Sequence, residues 1–156
     1  MAKAALATRV KDLASPATKM SKSATDDAIG VIRLLDPPDV IRRQVMRAVT
    51  DSDNEVRHDE ANKPGVTNLL EILAACTDGD PVTLAASYSS YGSLKQDVAD
   101  AVLAVIEPLQ KEYARLTGDP GAIDQLLAQG RDRAIDASSP RLRAATRAMG
   151  LAGSAP

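Results

Sequence analysis

Two lysines three positions apart, Lys19 and Lys22, sit among Met20, Ser21 and Ser23. Ammonium groups paired in this way on a flexible loop can clamp the charge that builds on a leaving pyrophosphate, and small hydroxyl residues let the backbone close around it. The plainer alternative is a solvated Lys/Ser loop. Five residues do not choose between the two, so the other chemistry-bearing positions and the elements that carry them must be weighed.

Two basic clusters stand out. In the first 23 residues Lys3, Arg9, Lys11, Lys19 and Lys22 face a single acid, Asp12, and from Arg131 to Arg147 the arginines Arg131, Arg133, Arg141, Arg143 and Arg147 face Asp132 and Asp136. A third group, Arg42, Arg43 and Arg47, shares one short segment. Each reads either as a solvated face or as a set of phosphate contacts. Tyr88, Tyr91 and Tyr113 are the only aromatic residues and so the only rings on which a base could stack. Tyr113 lies on an apolar stripe and reads as core, leaving Tyr88 and Tyr91 as the freer candidates. His58, the sole histidine, has no partner at a metal-ligand or triad spacing, and Cys76 at the end of an apolar run reads as an inert thiol. The Thr50-Asp51-Ser52-Asp53 stretch suggests a turn that satisfies its own backbone. Lys63-Pro64-Gly65 suggests a rigid helix entrance, with Asn68 a hydrogen bonder behind it.

The net charge of -2 argues against a strongly basic, whole-surface nucleic-acid binder, so any RNA contact must use local patches. At 156 residues one domain is expected, with a core of Leu, Ile, Val, Ala and Met because Phe and Trp are absent. One cysteine excludes an intramolecular disulfide. No apolar run is long enough for a membrane span, and the basic, Ala-rich start lacks the apolar stretch of a signal peptide, so no membrane association is expected and the cytoplasm is the default location.

Helical periodicity dominates, and the expected fold class is all-α, a helical bundle preceded by a loop-rich arm. Asp36-Pro37 with Asp39 reads as a capped helix start, followed by an apolar stripe of Ile41, Val45, Ala48 and Val49. A second helix after Pro64 turns Val66, Leu69, Leu70, Leu73 and Cys76 inward and ends before the turn-rich 77–81. The longest, from about Ser93 to Leu116, carries Leu94, Val98, Val102, Val105, Leu109 and Tyr113 at intervals of three or four, and Pro108 should bend or interrupt it. Asp119-Pro120 opens a shorter helix, Gly130 marks a break, and Ser139-Pro140 starts a last helix closed by Gly150. The expected division is an arm over 1–30 outside the core, a helical domain over 31–151 and a disordered tail over 152–156.

Beyond the Lys-Met-Ser-Lys-Ser loop the chain reads Leu34-Leu35-Asp36-Pro37, Ala48-Val49-Thr50-Asp51-Ser52-Asp53, Lys63-Pro64-Gly65-Val66-Thr67-Asn68-Leu69-Leu70, Tyr91-Gly92-Ser93-Leu94-Lys95 and Val98-Ala99-Asp100. In that order and at those intervals the series resembles the C-terminal part of bacterial tryptophanyl-tRNA synthetases, class I aminoacyl-tRNA synthetases whose phosphate loop is spelled KMSKS. The resemblance begins near Arg9-Val10 with Asp12-Leu13 and runs to Met149-Gly150. It covers less than half of a full synthetase.

The resemblance implies that Lys19, Met20, Ser21, Lys22 and Ser23 bind ATP phosphates and that the helical domain contacts the anticodon end of tRNA(Trp). It points to Arg42, Arg43, Arg47, Arg131, Arg133, Arg141, Arg143 and Arg147 as phosphate contacts and to Tyr88 and Tyr91 as base contacts. No Gly-rich strand-to-helix turn or second histidine suggests an adenylate pocket within residues 1–156, so the chain alone should be inactive. No catalytic residue and no metal ligand is assigned, and no cofactor is required; ATP enters only if another polypeptide completes the site. Three roles remain open: an adaptor presenting tRNA(Trp) or Trp-tRNA to an aminoacyl-tRNA-using enzyme, one half of a split tryptophan-tRNA ligase, or a fragment without an independent role. The oligomeric state stays open.

Overall fold

Proline marks most of the helix starts. Its fixed φ suits a first turn, where its missing N–H would have had no partner in any case. In a computed structural model that describes residues 9–25 and 28–151, the elements are α1 (Pro38–Met46), α2 (Pro64–Thr77), α3 (Pro81–Ala85), α4 (Tyr91–Thr117) and α5 (Pro120–Ala148). Among the described residues there is no named strand, only an isolated antiparallel bridge between Lys11 and Lys19. No helix there is long and apolar enough to cross a membrane. The all-α expectation holds. Lys3 and the tail over 152–156 lie outside the described residues.

Contacts divide the chain into one unit ending at Lys111 and a second beginning at Glu112, a boundary that falls inside α4. In the first unit the core is aliphatic, as composition required: Ile41 and Val45 of α1, Val66, Leu69, Leu70 and Leu73 of α2, and Leu94, Val98, Val102 and Ile106 of α4. Tyr91 is the aromatic member of that core, and Leu13 joins it from the arm. Placing the first thirty residues outside the core is therefore corrected. The Leu13 N–H donates to the Gly30 carbonyl at 2.8 Å, and the Leu13 carbonyl accepts from the Val49 N–H at 2.7 Å.

Several local expectations shift. Asp36 does not cap α1: Pro37 occupies the cap position with no side-chain bond, and α1 ends at Met46, leaving Val49 half-exposed beyond it. A short helix, α3, stands within the stretch read as a turn, capped by the Asp80 carboxylate accepting from the Thr83 N–H at 2.7 Å. In α4 the stripe through Val98 and Val102 continues to Ile106 rather than Val105. Val105, Leu109 and Tyr113 are 47%, 55% and 51% exposed, so Tyr113 is not a core residue. Pro108 does not break α4. The carbonyl it frees four residues back is that of Ala104, an exposed residue, where water can satisfy it.

The second unit holds the end of α4 and all of α5. Asp119 caps α5, accepting from the Ala122 N–H at 3.1 Å, and Gly150 at φ +70° closes it, with the Leu151 N–H reaching the Thr146 carbonyl at 2.9 Å. Between them Gly130 makes no break and Ser139-Pro140 starts no new helix: α5 runs unbroken for 29 residues. Gly130 and Pro140 both stand on exposed positions, where a weakened or missing backbone bond is met by solvent.

Candidate functional site

The Lys-Met-Ser-Lys-Ser stretch begins on the return limb of a small hairpin. The Asp12 N–H donates to the Thr18 carbonyl at 2.9 Å and the Met20 N–H to the Val10 carbonyl at 3.1 Å, which bracket the Lys11–Lys19 bridge. The Asp12 carboxylate shapes the turn by accepting from the Ala14 and Ser15 N–H groups at 2.8 and 2.9 Å. Met20 packs against the core, while Lys19, Ser21, Lys22 and Ser23 are exposed. The loop thus has an apolar anchor between two ammonium groups that face solvent, an arrangement suited to holding an anion.

Behind the hairpin lies a network centred on Lys63, whose side chain is 1% exposed. Its ammonium donates to Asp51 at 3.0 Å, to Asp53, and to the Tyr91 hydroxyl at 3.0 Å. The Tyr91 hydroxyl also contacts Asp51 and lies 2.8 Å from Asp53. Burial alone would lower the Lys63 pKa, yet its bonds to Asp53, Tyr91 and Asp51 outweigh this and raise it. The bond from Lys63, more than any other, holds Asp53 below the usual carboxylate range. Burial, reinforced by Asp51, pushes the Tyr91 phenol up to about 12. Asp51 and Asp53 also accept from the N–H groups of Asp53 and Glu55, the self-satisfied turn expected of that stretch.

Tyr91 is therefore corrected as a base-stacking candidate, because its ring is core and its hydroxyl is committed. Tyr88 is half-buried, with its hydroxyl donating to Asp97 at 2.8 Å; burial pushes it up to about 12. Of the α1 arginines, Arg42 pairs with Asp100 at 2.5 Å and Arg43 with Asp39 at 2.7 Å, which leaves Arg47 as the member of that patch without an ion pair among the described residues. His58 lies 3.5 Å from Glu71, and the half-buried Cys76 thiol is pushed up by burial. Among the described residues no cluster of His, Cys, Asp and Glu could hold a metal.

On α5 all five arginines are exposed, but they do not share one face. At about 100° per residue, Arg133, Arg143 and Arg147 fall within an arc of about 80° that also holds Asp136, with Asp132 about 20° beyond its edge, while Arg141 and Arg131 point elsewhere. Arg131 pairs with Asp132 at 2.9 Å. Arg133, Arg141, Arg143 and Arg147 have no ion-pair partner among the described residues.

The profile described as tRNA synthetases class I (W and Y) matches residues 2–107. The chain belongs to this family. It is 48% identical over 147 residues to tryptophan–tRNA ligase 1 of Streptomyces coelicolor, covering 94% of this chain and 44% of that protein. The structure of tryptophanyl-tRNA synthetase from Mycoplasma pneumoniae superposes with a TM-score of 0.78 at 29% identity, over 92% of this chain and 44% of that one. The Campylobacter jejuni enzyme, solved with ADP and tryptophan, shares the fold with a TM-score of 0.66 at 21% identity. The chain thus spans a little under half the length of these relatives. The Lys-Met-Ser-Lys-Ser loop lies within the profile match, and the α5 arginines lie beyond it.

The Lys63 network is not foreseen by the local sequence. Lys63 was read as a helix entrance only; the available signal was a lysine immediately before Pro-Gly, downstream of two acids two positions apart. Lys95 was also unassigned: its ammonium donates to the Ala48 carbonyl at 2.8 Å, and burial lowers its pKa.

Proposed function

We propose that this chain binds tRNA(Trp) and presents it, or its aminoacylated form, to a partner enzyme, without forming tryptophanyl-adenylate by itself. The observation that carries this reading is the exposed arginine face of α5, where Arg133, Arg143 and Arg147 have no ion-pair partner among the described residues. Phosphate contacts of this kind supply affinity, and base contacts supply choice. The test is binding of tRNA(Trp) and of anticodon-swapped tRNA(Trp) across a salt series. Affinity should fall steeply with salt, and each misread anticodon base should cost about 1–3 kcal/mol. Equal affinity for unrelated tRNAs at every salt concentration overturns it.

A second reading is favoured by the loop. Lys19 and Lys22 are exposed around a packed Met20, which suits a phosphate clamp that completes an ATP-dependent tryptophan-tRNA ligase site with another polypeptide. A transition state for adenylate formation needs an amino-acid pocket and α-phosphate donors as well as two lysines, so this reading requires the second polypeptide. Changing Lys19 and Lys22 together to Ala separates the two. The adaptor loses only a modest part of its tRNA affinity, whereas a reconstituted ligase loses turnover.

A further inference from the structure

We propose that Asn68 is the positioning residue of the phosphate loop, acting as a one-residue substitute for a neighbouring strand. In an antiparallel bridge whose flanking residues make the cross-strand bonds, the central residue points its own N–H and carbonyl away from its partner. Lys11 is such a residue: Asp12 and Val10 make the bonds to the return limb, and Lys11 is left with a donor and an acceptor on the opposite edge. Buried or half-buried backbone groups of this kind must be paired. Asn68 pairs both. Its Oδ1 accepts from the Lys11 N–H at 2.9 Å, and its Nδ2 donates to the Lys11 carbonyl at 3.0 Å.

Asn68 suits the task because its amide offers an acceptor and a donor on separate atoms side by side, as a strand residue does; ionised Asp lacks the donor, Leu lacks both, and Ser carries both on a single oxygen of a shorter side chain. It is 2% exposed on α2, a rigid element of the core, so its position does not follow the loop. The Lys11 side chain adds a second tie to the entrance of α2, its ammonium reaching Glu60 at 2.9 Å. The outgoing limb is therefore fixed to α2, and Lys19 hangs from it through the Asp12–Thr18 and Met20–Val10 bonds. Positioning of Lys19 and Lys22 runs from α2 through Asn68 to Lys11 and across the bridge.

This inference rests on the reading of the loop as a phosphate clamp, and the experiment keeps the two apart. Amide hydrogen exchange is measured by nuclear magnetic resonance on the intact chain, Asn68→Ala, the milder Asn68→Ser, and Glu60→Ala. Inorganic pyrophosphate is then titrated into each. In both Asn68 variants the Asp12 and Met20 amides should exchange on the order of 10-fold faster, with core amides of α2 and α4 such as Leu73 and Leu103 unchanged. Trypsin should cut after Lys19 and Lys22 faster by a similar factor. Glu60→Ala, which removes only an exposed ion pair, should accelerate those amides less than either Asn68 variant does. In the wild-type chain pyrophosphate should shift the Lys19 and Lys22 amides, and the Asn68 variants should lose that response. Unchanged exchange at Asp12 and Met20 in either Asn68 variant, or acceleration spread evenly through the core, overturns the positioning role. Local acceleration together with no pyrophosphate response in the wild type refutes the clamp reading alone.

Discussion

Gly65, at the start of α2, lies directly against the backbone carbonyl of Val49: a Cβ at position 65 would overlap the Val49 oxygen. Val49 in turn donates its N–H to the Leu13 carbonyl, so this close approach fixes α2 against the segment that anchors the Lys11–Lys19 hairpin. Any side chain at position 65 pushes the two apart.

Gly65→Ala should therefore destabilise the first unit by about 1–3 kcal/mol, the usual cost of forcing atoms into a packed contact. Urea unfolding followed by circular dichroism measures it. A variant with an unchanged midpoint would show that the 49–51 backbone yields without cost.

The Lys63 network predicts a pH profile. Asp53 is held below its ordinary value, chiefly by Lys63, so its contribution to stability is complete above about pH 4 and is lost as pH falls through the lower folded value. Lys63 is held above its ordinary value, so its contribution is complete below about pH 10 and is lost as pH rises through the folded value. Replacing Lys63 with Met should lower the urea midpoint at pH 7 and flatten both limbs of the stability profile. If the variant's midpoint tracks the wild type from acid to alkali, the network contributes nothing.

Tyr91→Phe keeps the ring in the core and removes only the hydroxyl that joins Lys63 to Asp51. A loss of about 1–3 kcal/mol is expected, because the partners are charged. In an alkaline titration read by phenolate absorbance, the same change should delete a step near pH 12. Persistence of that step in full would assign it to Tyr88, whose phenol is pushed into the same range.

For tRNA binding, Arg143→Ala and Arg147→Ala should each weaken affinity across sequences and reduce the slope of log affinity against log salt by about 1. Arg42→Ala should change it less, since Arg42 is engaged with Asp100. Filter-binding isotherms at four salt concentrations suffice. A larger effect at Arg42 than at Arg147 would move the interface from α5 to α1.

Much of this molecule was legible because its signals are local. Proline at a first turn, an acid before it at Asp119, and apolar residues at steps of three and four define where helices start and which face is buried. The motif order from Lys19 to Asp100 identified the family before any geometry was known. What failed were properties set at a distance. Val105 and Ile106 are both apolar and adjacent, so periodicity cannot say which turns inward, and the same drift misplaced Tyr113. Tyr91 looked free beside a turn because its partners, Asp51, Asp53 and Lys63, are 28 to 40 positions away. Pro108 was expected to bend or interrupt α4 and Pro140 to start a new helix; the carbonyls they free, those of Ala104 and Asp136, belong to exposed residues where water can satisfy them, and exposure is not written in the local sequence.

The unbroken run of α5 through Pro140 sets a length scale. At about 1.5 Å per residue its 29 residues span about 44 Å, and Arg133 and Arg147, on one face and 14 positions apart, stand about 21 Å from each other along the axis. Arg143 and Arg147 are only about 6 Å apart along that same axis. A single nucleotide can meet the near pair at most, whereas engaging the outer members requires a polyanion extended over several nucleotides. On the proposed tRNA-binding reading, the helix selects its ligand by length as well as by charge.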